Sequence, residues 1–253
     1  MAEGFETGKR SAVNRWREIW EGRSVSEEKL GGKGKEEIFC ELKRLSGFDV
    51  VDGAMDYDSF YGQYFDTKDK LINETEKRTG VKVKSIYEVG CGSGANLYLF
   101  SEDGYIVGGS DYSEALVHAA QLVLKDADLH YEKADEINID RKYDVLLANS
   151  VFSYFADEEY AEKVLEKMLQ KARYAIGLID LHDAECKEAF LAYRKREIPD
   201  YDERYKDLPK FFYRKDFFRE FAGKNDLDIG FFESRVKGYW NNPFVFNLFM
   251  YKK

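Results

Sequence analysis

The sequence predicts an α/β fold in which a mostly parallel sheet carries helices on both faces. Three observations predict it. Short apolar, β-rich runs alternate with helical patterns from residue 85 onwards, as expected of parallel strands joined by crossover helices. A glycine-rich turn stands between the first such run and the helix after it. The last two runs are joined by a connection too short for a crossover, which indicates an antiparallel pair.

The N-terminal part of the chain has helical patterns without strands. Residues 14–22 place Trp16, Ile19 and Trp20 on one apolar helical face, and glycines then interrupt the pattern. Two further helices are predicted in this part, over Lys35–Gly47 and Asp58–Gly80.

The predicted strands and helices then follow one another in a regular order. The strands are expected over Ser85–Val89, Tyr105–Gly109, Leu129–Glu132, Tyr143–Ala148 and Tyr174–Ile179. The intervening helices are expected from Ala95 onwards, over Ser113–Lys125 and over Glu158–Ala172. After a polar and aromatic segment come a helix over Lys215–Ala222 and two strands, Leu227–Ser234 and Phe244–Tyr251.

Composition and charge narrow the classes of function. The 253 residues are 44% hydrophobic and carry a net charge of −9, with lysine and arginine scattered among acidic residues. Proteins that hold nucleic acid through its phosphates usually present a basic face, so we expect no nucleic-acid partner. No window approaches the roughly 20 apolar residues of a membrane span, so no membrane partner is expected. Cys40, Cys91 and Cys186 match neither a disulfide framework nor a zinc site, which indicates reduced cysteines in the cytoplasm.

The strongest functional signal is the segment 88–96, EVGCGSGAN, directly after the first predicted strand. Its glycines, Gly90, Gly92 and Gly94, let the backbone turn sharply and approach a ligand closely. The spacing differs from the G-x-G-x-x-G fingerprint of dinucleotide sites, because Ala95 stands where the third glycine would be. A nicotinamide cofactor is therefore the weaker interpretation.

A second signal is Asp111, which ends the next predicted strand about twenty residues beyond the loop. An acidic side chain at this place accepts hydrogen bonds from the hydroxyls of a ribose. An aspartate before a helix also commonly caps it. Ser113 is the better candidate for that cap, which leaves Asp111 for a ligand.

The motif EVGCGSGAN and its spacing to Asp111 resemble those of class I S-adenosylmethionine-dependent methyltransferases. The resemblance implies a seven-stranded mostly parallel sheet with its last strand antiparallel, a helical N-terminal cap, and S-adenosylmethionine as the cofactor. It also implies that the glycine loop meets the amino-acid end of the cofactor, that Asp111 holds the ribose and that Asp135 meets the adenine. The run YDVLLANSVFSYF is similar to the family's fourth strand, whose end lies beside the cofactor. The cofactor-binding residues expected on this basis are Glu88, Gly90, Cys91, Gly92, Gly94, Asp111, Tyr112, Asp135, Glu136, Asn149, Ser150, Val151 and, from the helical part, Tyr61.

The catalytic candidates follow the fifth predicted strand. His182 and Asp180 stand at the rim where such a sheet presents its ligands, whereas His118 falls within a helix and His130 within a strand. A neutral imidazole takes up a proton near neutral pH, so His182 is the candidate base, with Asp180 or Asp183 to orient it or to act instead. A metal site at this rim would have a poor ligand pattern, and no metal is expected.

The segment after the fifth strand is the expected substrate cover, because loops over a rigid sheet carry specificity. It lies at about 183–214 within a methyltransferase domain over 58–253, which follows a helical N-terminal cap over 1–57. Aromatic side chains suit an organic acceptor, and an arginine suits a phosphate or carboxylate. The candidate acceptor-binding residues are Tyr64, Tyr193, Arg194, Arg196 and Tyr213.

These features predict a methyltransferase that acts on a small-molecule acceptor: a hydroxyl, an amine, or a phosphorylated or sugar metabolite. The opening NRWREIW is similar to methyltransferases of bacterial surface-polysaccharide loci, but this likeness is too short to set a substrate. Surface-polysaccharide or secondary metabolism is the expected context of the leading interpretation. An RNA or protein methyltransferase is one alternative, and the net charge of −9 weighs against RNA. A non-catalytic cofactor-binding subunit is another, and the intact loop with Asp111 and Asp135 argues against it. The sequence leaves the oligomeric state open.

Overall fold

Seven strands form one sheet in the order β3-β2-β1-β4-β5-β7-β6. The computed structural model describes residues 15–48 and 55–253. The strands are β1 (Ser85–Val89), β2 (Ile106–Asp111), β3 (Asp128–Tyr131), β4 (Tyr143–Asn149), β5 (Ala172–His182), β6 (Leu227–Glu233) and β7 (Val245–Lys252). Strand β7 runs antiparallel to β5 and β6, and the other neighbouring pairs are parallel. The predicted seven-stranded, mostly parallel sheet with an antiparallel last strand is confirmed.

Helices cover both faces of this sheet. They are α1 (15–21), α2 (Glu27–Leu30), α3 (Lys35–Lys43), α4 (Tyr57–Lys68), α5 (Glu74–Thr79), α6 (Ala95–Glu102), α7 (Glu114–Val123), α8 (Glu158–Lys171), α9 (Lys187–Glu197), α10 (Tyr201–Arg204) and α11 (Lys215–Lys224). One π-helical turn follows α3 over Arg44–Phe48, and another joins α4 to α5 over Asp69–Asn73. The helix predicted over Asp58–Gly80 is thus confirmed as α4 and α5, closed by Gly80 in the left-handed conformation. The predicted start of the first helix, Asn14, lies outside the described residues.

The two faces of the sheet carry separate apolar clusters. Leu165 of α8 and Phe218 of α11 pack on one face, and Leu71 and Phe100 pack on the other. Every residue of β1 is buried, as expected of a central strand covered on both sides. Because both faces are covered, a ligand can reach the centre of the sheet only at the ends of its strands. Among residues 15–48 and 55–253, no helix combines the length and apolar character needed to cross a membrane.

The N-terminal helices pack directly against the sheet domain. Phe39 and Leu42 of α3 belong to the same apolar cluster as Leu71. Helix α1 is tied to the distant segment before α11 by a hydrogen bond of 3.3 Å from Trp16 Nε1 to the carbonyl of Pro209. The division into a cap over 1–57 and a domain over 58–253 stays a prediction.

Strand β5 extends beyond the predicted Tyr174–Ile179 at both ends, from Ala172 to His182. It is paired with β4 on one side and with β7 on the other, and these ladders satisfy its backbone groups. His182 is therefore the last residue of a strand, where the sequence predicts a loop position. The difference arises because the partner on the far side, Val245, is sixty-odd residues away in the chain.

Candidate functional site

A cavity of about 420 Å³ opens at the carboxyl ends of β1, β2 and β4, with helix α1 against it. Its size suits a small organic ligand, and ligands of open α/β sheets bind at this edge. Its walls are formed by Trp16, Arg17, Trp20, Lys43, Ser46, Glu88, Gly90, Cys91, Gly92, Ala95, Asn96, Asp111, Tyr112, Leu116, Tyr131, Glu132, Lys133, Ala134, Glu136, Asn149, Ser150, Val151, Tyr154, Phe155, Ala156 and Tyr160.

The turn after β1 approaches the turn after β4 closely. Gly90 adopts a φ of 68°, a left-handed conformation that side chains disfavour. A Cβ on Gly90 would stand 2.4 Å from Cγ2 of Val151. Gly92 borders the cavity beside it, whereas Gly94 lies behind the loop, where a Cβ would meet Ala120 of α7 at 3.0 Å. The two turns can meet at the cavity because position 90 has no side chain.

Glu88, at the base of this turn, carries a buried carboxylate that is only half satisfied. Its Oε1 accepts a hydrogen bond of 2.7 Å from Asn96 Nδ2, and Oε2 has no hydrogen-bond partner. Lys43 Nζ donates to Oδ1 of the same Asn96 at 2.8 Å. Burial raises the pKa of Glu88, and the positive charge of Lys43 opposes that rise. Burial likewise lowers the pKa of Lys43, and the negative charge of Glu88 opposes that fall. The sequence motif contains Glu88 and Asn96, but nothing in it indicates that Lys43 joins them.

Asp111, the last residue of β2, holds the loop and borders the cavity. Its Oδ2 accepts the N–H of Gly92 and its Oδ1 accepts the N–H of Ser113, both at 2.9 Å. Ser113 caps α7 through Leu116, as predicted. Burial raises the pKa of Asp111 to about 6, although these backbone hydrogen bonds lower it. Because a carboxylate has about four acceptor sites, Asp111 keeps capacity for hydroxyl donors of a ligand.

A strained residue directly after β4 hydrogen-bonds another at the irregularity near the end of β5. Ser150 has a φ of 59° and Asp180 a φ of 63°. Ser150 Oγ donates to Asp180 Oδ2 at 2.6 Å, and the hydroxyl of Tyr239 donates to the same oxygen at 2.8 Å. Left-handed conformations at non-glycine residues are costly and cluster at functional sites. Ser150 borders the cavity, so Asp180 lies one hydrogen bond behind its wall.

His182 lies deeper in the same region and does not border the cavity. Its ring packs between Phe190 and Phe212, with centroids 5.0 and 5.3 Å away. Asn241 Nδ2 stands 3.4 Å from Nε2 of His182, and Nδ1 has no hydrogen-bond partner. Burial holds the pKa of His182 well below its usual range, with a further lowering by the charges of Lys210 and Arg194. The imidazole is therefore neutral at cellular pH.

Most of the predicted cofactor residues meet at the cavity. Ten of them border it: Glu88, Gly90, Cys91, Gly92, Asp111, Tyr112, Glu136, Asn149, Ser150 and Val151. Asp135 does not, but it accepts a hydrogen bond of 2.7 Å from the hydroxyl of Tyr160, which does. Tyr61 lies outside the lining, in a stack with Tyr57 and Tyr64 on α4.

The predicted acceptor residues do not border the cavity. Tyr64 donates a hydrogen bond of 2.6 Å to Asp103, at the end of α6 remote from the glycine loop. Tyr213 is fully buried in the core and donates to the carbonyl of Phe152 at 2.9 Å. The others lie on α9: Tyr193 stacks on Trp240, Arg196 lies over Tyr193, and Arg194 is buried among aromatic rings. Within the described ranges, no group of three or more histidine, cysteine or acidic residues could hold a metal ion.

Three aromatic residues that the prediction does not include as ligand contacts form a wall of the cavity. Trp16 and Trp20 of α1 stack at 6.5 Å, and both meet Tyr154 edge-on at 4.8 and 5.8 Å. Glu21 anchors the end of α1 by accepting the N–H of Glu114 at the start of α7. The helical spacing of the tryptophans indicates their common face, but that face is equally typical of core packing.

Comparison with known proteins agrees with this architecture. Residues 87–174 match the family model described as a methyltransferase domain. The plantazolicin methyltransferase in complex with S-adenosylhomocysteine is 16% identical, with a TM-score of 0.61 over 100% of this chain and 98% of that chain. The magnesium protoporphyrin IX methyltransferase from Synechocystis PCC 6803 is 16% identical, with a TM-score of 0.57 over 87% and 100% of the two chains. No curated protein matches the chain.

At these identities the solved structures establish the fold, and the matched family model assigns the domain that contains the glycine loop. Residues 87–174 thus match a methyltransferase domain, and the chain shares the fold of methyltransferases solved with S-adenosylmethionine or S-adenosylhomocysteine. This match agrees with the resemblance carried by EVGCGSGAN and Asp111, both of which lie within the matched residues.

Proposed function

We propose that this enzyme transfers the methyl group of S-adenosylmethionine to a small organic acceptor. The observation that carries the proposal is one cavity of about 420 Å³. The glycine turn, Asp111, the strained residue after β4 and several aromatic rings all line it. The glycine turn and Asp111 suit the cofactor, and the aromatic rings suit an organic acceptor. The net charge of −9 favours a small molecule over RNA. The free cysteines among the described residues favour a reducing compartment such as the cytoplasm.

The residues around the cavity fit the cofactor's functional groups. Oε2 of Glu88 is a buried acceptor without a partner, which suits the amino group of the methionine part. The turn at Gly90 brings backbone to the same place without a side chain, and Asp111 retains acceptor sites for the ribose hydroxyls. Glu136 and Tyr160, which holds Asp135, border the region proposed for the adenine. When bound, the cofactor supplies an electrophilic methyl group on a sulfonium.

The chain's own contribution to methyl transfer is positioning and exclusion of water. Trp16, Trp20 and Tyr154 present flat apolar surfaces that hold an organic acceptor in one orientation. Orientation of two bound reactants contributes on the order of 7–11 kcal/mol to a rate enhancement. Two of the similar structures are methyltransferases of plantazolicin and of magnesium protoporphyrin IX, which supports a small organic acceptor here. A hydroxyl, an amine, or a phosphorylated or sugar metabolite remains the proposed class.

A protonated acceptor also needs a group that takes its proton. Of the two predicted catalytic residues, we favour Asp180, because its partner Ser150 borders the cavity. Burial raises the pKa of Asp180, which makes its carboxylate a stronger base, while the hydrogen bond from Ser150 opposes that shift. His182 does not border the cavity, so we consider it the less favoured of the two as the base.

Calorimetry tests the cofactor assignment directly. We expect S-adenosylhomocysteine and S-adenosylmethionine to bind in the micromolar range and NADH not to bind, because the loop lacks the dinucleotide spacing. Release of S-adenosylhomocysteine across a panel of hydroxyl, amine and phosphorylated acceptors then tests the transfer. Binding of NADH alone would overturn the proposal, and binding of cofactor with no release on any acceptor would favour the non-catalytic subunit.

We expect Asp111→Asn to weaken S-adenosylhomocysteine binding by about tenfold or more, because hydrogen bonds to a charged group are worth about 1.5–3 kcal/mol each. The folded-state pKa of about 6 lies above the ordinary value, so the carboxylate is ionised above pH 6 and protonated below it. Wild-type affinity should therefore fall as the pH is lowered through about 6, and Asp111→Asn should lack that fall. Titration calorimetry between pH 5 and 8 measures both, with the exposed Asp140→Asn as control. If wild type and Asp111→Asn bound S-adenosylhomocysteine equally well at pH 8, Asp111 would only hold the glycine loop and would not contact the cofactor.

A further inference from the structure

A cluster of buried polar groups lies behind the part of the cavity wall formed by the ends of β4 and β5. Arg194 Nε, Asn241 Oδ1 and His182 Nδ1 all lack a hydrogen-bond partner. Their side chains belong to residues that are 8, 2 and 4% exposed. A buried polar group without a partner costs roughly 1–3 kcal/mol, so three together call for a specific explanation.

The cluster is held together by direct contacts. Asn241 Nδ2 lies 3.4 Å from His182 Nε2 and 3.4 Å from Asp180 Oδ1. The charges of Arg194 and of Lys210 both act on His182. The cluster also meets the cavity wall, because Asp180 accepts a hydrogen bond from Ser150, which lines the cavity.

Two cations, Arg194 and Lys210, lie beside this cluster, and each is held against aromatic rings. The guanidinium of Arg194 is held by aromatic faces, 4.7 Å from the Trp240 centroid and 5.2 Å from that of Tyr205. Lys210 Nζ lies 3.3 Å from the centroid of Tyr154, which borders the cavity. Aromatic faces attract a cation and fix it in place, but they carry no net negative charge to neutralise it.

The carboxylate that acts on Lys210 is already engaged. Asp180 is the carboxylate whose charge acts on Lys210, and its oxygens accept hydrogen bonds from Ser150, Tyr239 and Asn241. In this buried region the positive charges of Arg194 and Lys210 are therefore opposed by the single negative charge of Asp180. Burial accordingly lowers the pKa of Lys210 to about 7, although Asp180 raises it. An additional anion would satisfy both the excess positive charge and the donor at Arg194 Nε.

We propose that Arg194 and Lys210 form a subsite for an anionic group, a carboxylate or a phosphate, of the methyl acceptor. This proposal rests on the proposed function, because it assumes that the cofactor and the acceptor meet at the end of β4. Arg194 supplies directed N–H donors and Lys210 a point charge, a combination suited to tetrahedral or planar oxyanions. Asn241 Oδ1 accepts from a hydroxyl or N–H of the same acceptor.

The test uses the full chain saturated with S-adenosylhomocysteine. Inorganic phosphate and acetate are titrated separately as probes, with sodium chloride at equal ionic strength as reference, and thermal unfolding reports binding. We expect one of the two anions to raise the melting temperature of the wild type. Arg194→Gln and Lys210→Gln should each weaken that response at least tenfold in the concentration required. Lys195→Gln, which alters the exposed neighbour of Arg194 on α9, should respond as the wild type does.

The outcomes separate this subsite from the proposed function. A response to phosphate assigns a phosphorylated acceptor, and a response to acetate assigns a carboxylate. If S-adenosylhomocysteine binds but wild type, Arg194→Gln and Lys210→Gln respond alike to both anions, the subsite is overturned and the proposed function stands. If S-adenosylhomocysteine does not bind the wild type, the proposed function fails first. Should Arg194→Gln not fold, Lys210→Gln compared with Lys195→Gln decides the matter.

Discussion

Replacing Gly90 with alanine is expected to lower the affinity for S-adenosylhomocysteine by about 30-fold or more. A side chain in the left-handed conformation costs about 1–2 kcal/mol, and forcing a group into a filled space costs about 1–3 kcal/mol. Both costs apply at Gly90, whose φ is 68° and whose added Cβ would stand 2.4 Å from Val151 Cγ2. A combined cost of about 2 kcal/mol already corresponds to about 30-fold in a binding constant. The turn can avoid these costs only by moving, and the moved turn no longer forms the cavity wall.

Gly104→Ala is the matched control for this experiment. Gly104 also has a left-handed φ, of 85°, but an added Cβ would meet nothing within 4 Å. This variant should therefore lose a similar amount of stability from backbone strain and keep its affinity for S-adenosylhomocysteine. Calorimetry gives the affinity and thermal unfolding gives the stability. A folded Gly90→Ala protein that bound the cofactor like the wild type would show that the β1 turn does not hold it.

Replacing Asp180 with asparagine is expected to lower kcat by about 10²–10⁴-fold, the usual worth of general-base catalysis. Asparagine tolerates the left-handed conformation of this position, where φ is 63°. Its side-chain oxygen can still accept from Ser150 and Tyr239, so the fold at the end of β5 should be kept. The change removes the negative charge and with it the capacity to take a proton. The affinity for S-adenosylhomocysteine should stay within a few fold of wild type.

The measurement is steady-state release of S-adenosylhomocysteine on the acceptor found in the panel. Asp144→Asn is the control, because Asp144 is an equally buried carboxylate near the opposite end of β4. His182→Ala in the same assay tests the other predicted base, and we expect a smaller loss than for Asp180→Asn because His182 does not border the cavity. Near-normal turnover by Asp180→Asn with a large loss in His182→Ala would reverse the assignment. Near-normal turnover by both variants would leave positioning as the source of catalysis.

The cofactor side of the cavity was accessible to sequence reasoning because its determinants are local. Gly90 and Gly92 lie within one turn between β1 and α6, and their spacing is visible in the chain. Ser113 caps α7 as predicted, and Asp111, two residues earlier, borders the cavity, where its ligand role stays a prediction. The contribution of Lys43 was not predicted, because this residue contacts Asn96 from a helix more than fifty residues earlier in the chain.

The proposed acceptor side of the cavity was not predictable from the sequence in the same way. The aromatic residues of α1 are typical of core packing in the sequence, and only the approach of Tyr154 and Pro209 turns Trp16 towards the cavity. Tyr213 falls within the predicted cover, yet its ring is buried against Phe152. In both cases a segment far away in the chain decides which way an aromatic side chain faces.

The sequence by itself determined the order of strands and helices along the chain, the antiparallel ending, the glycine turn and the acidic residue that ends β2. These features depend on periodicity, on the conformational freedom of glycine and on short spacings, all of which the chain carries locally. Only the tertiary structure decided that β5 reaches His182 and that Asp180 and Ser150, both in left-handed conformations, hydrogen-bond each other. It also decided that Arg194 and Lys210 lie in one polar cluster. Burial, unpaired charge and strand pairing on both sides arise from contacts between distant segments, and no local pattern encodes them.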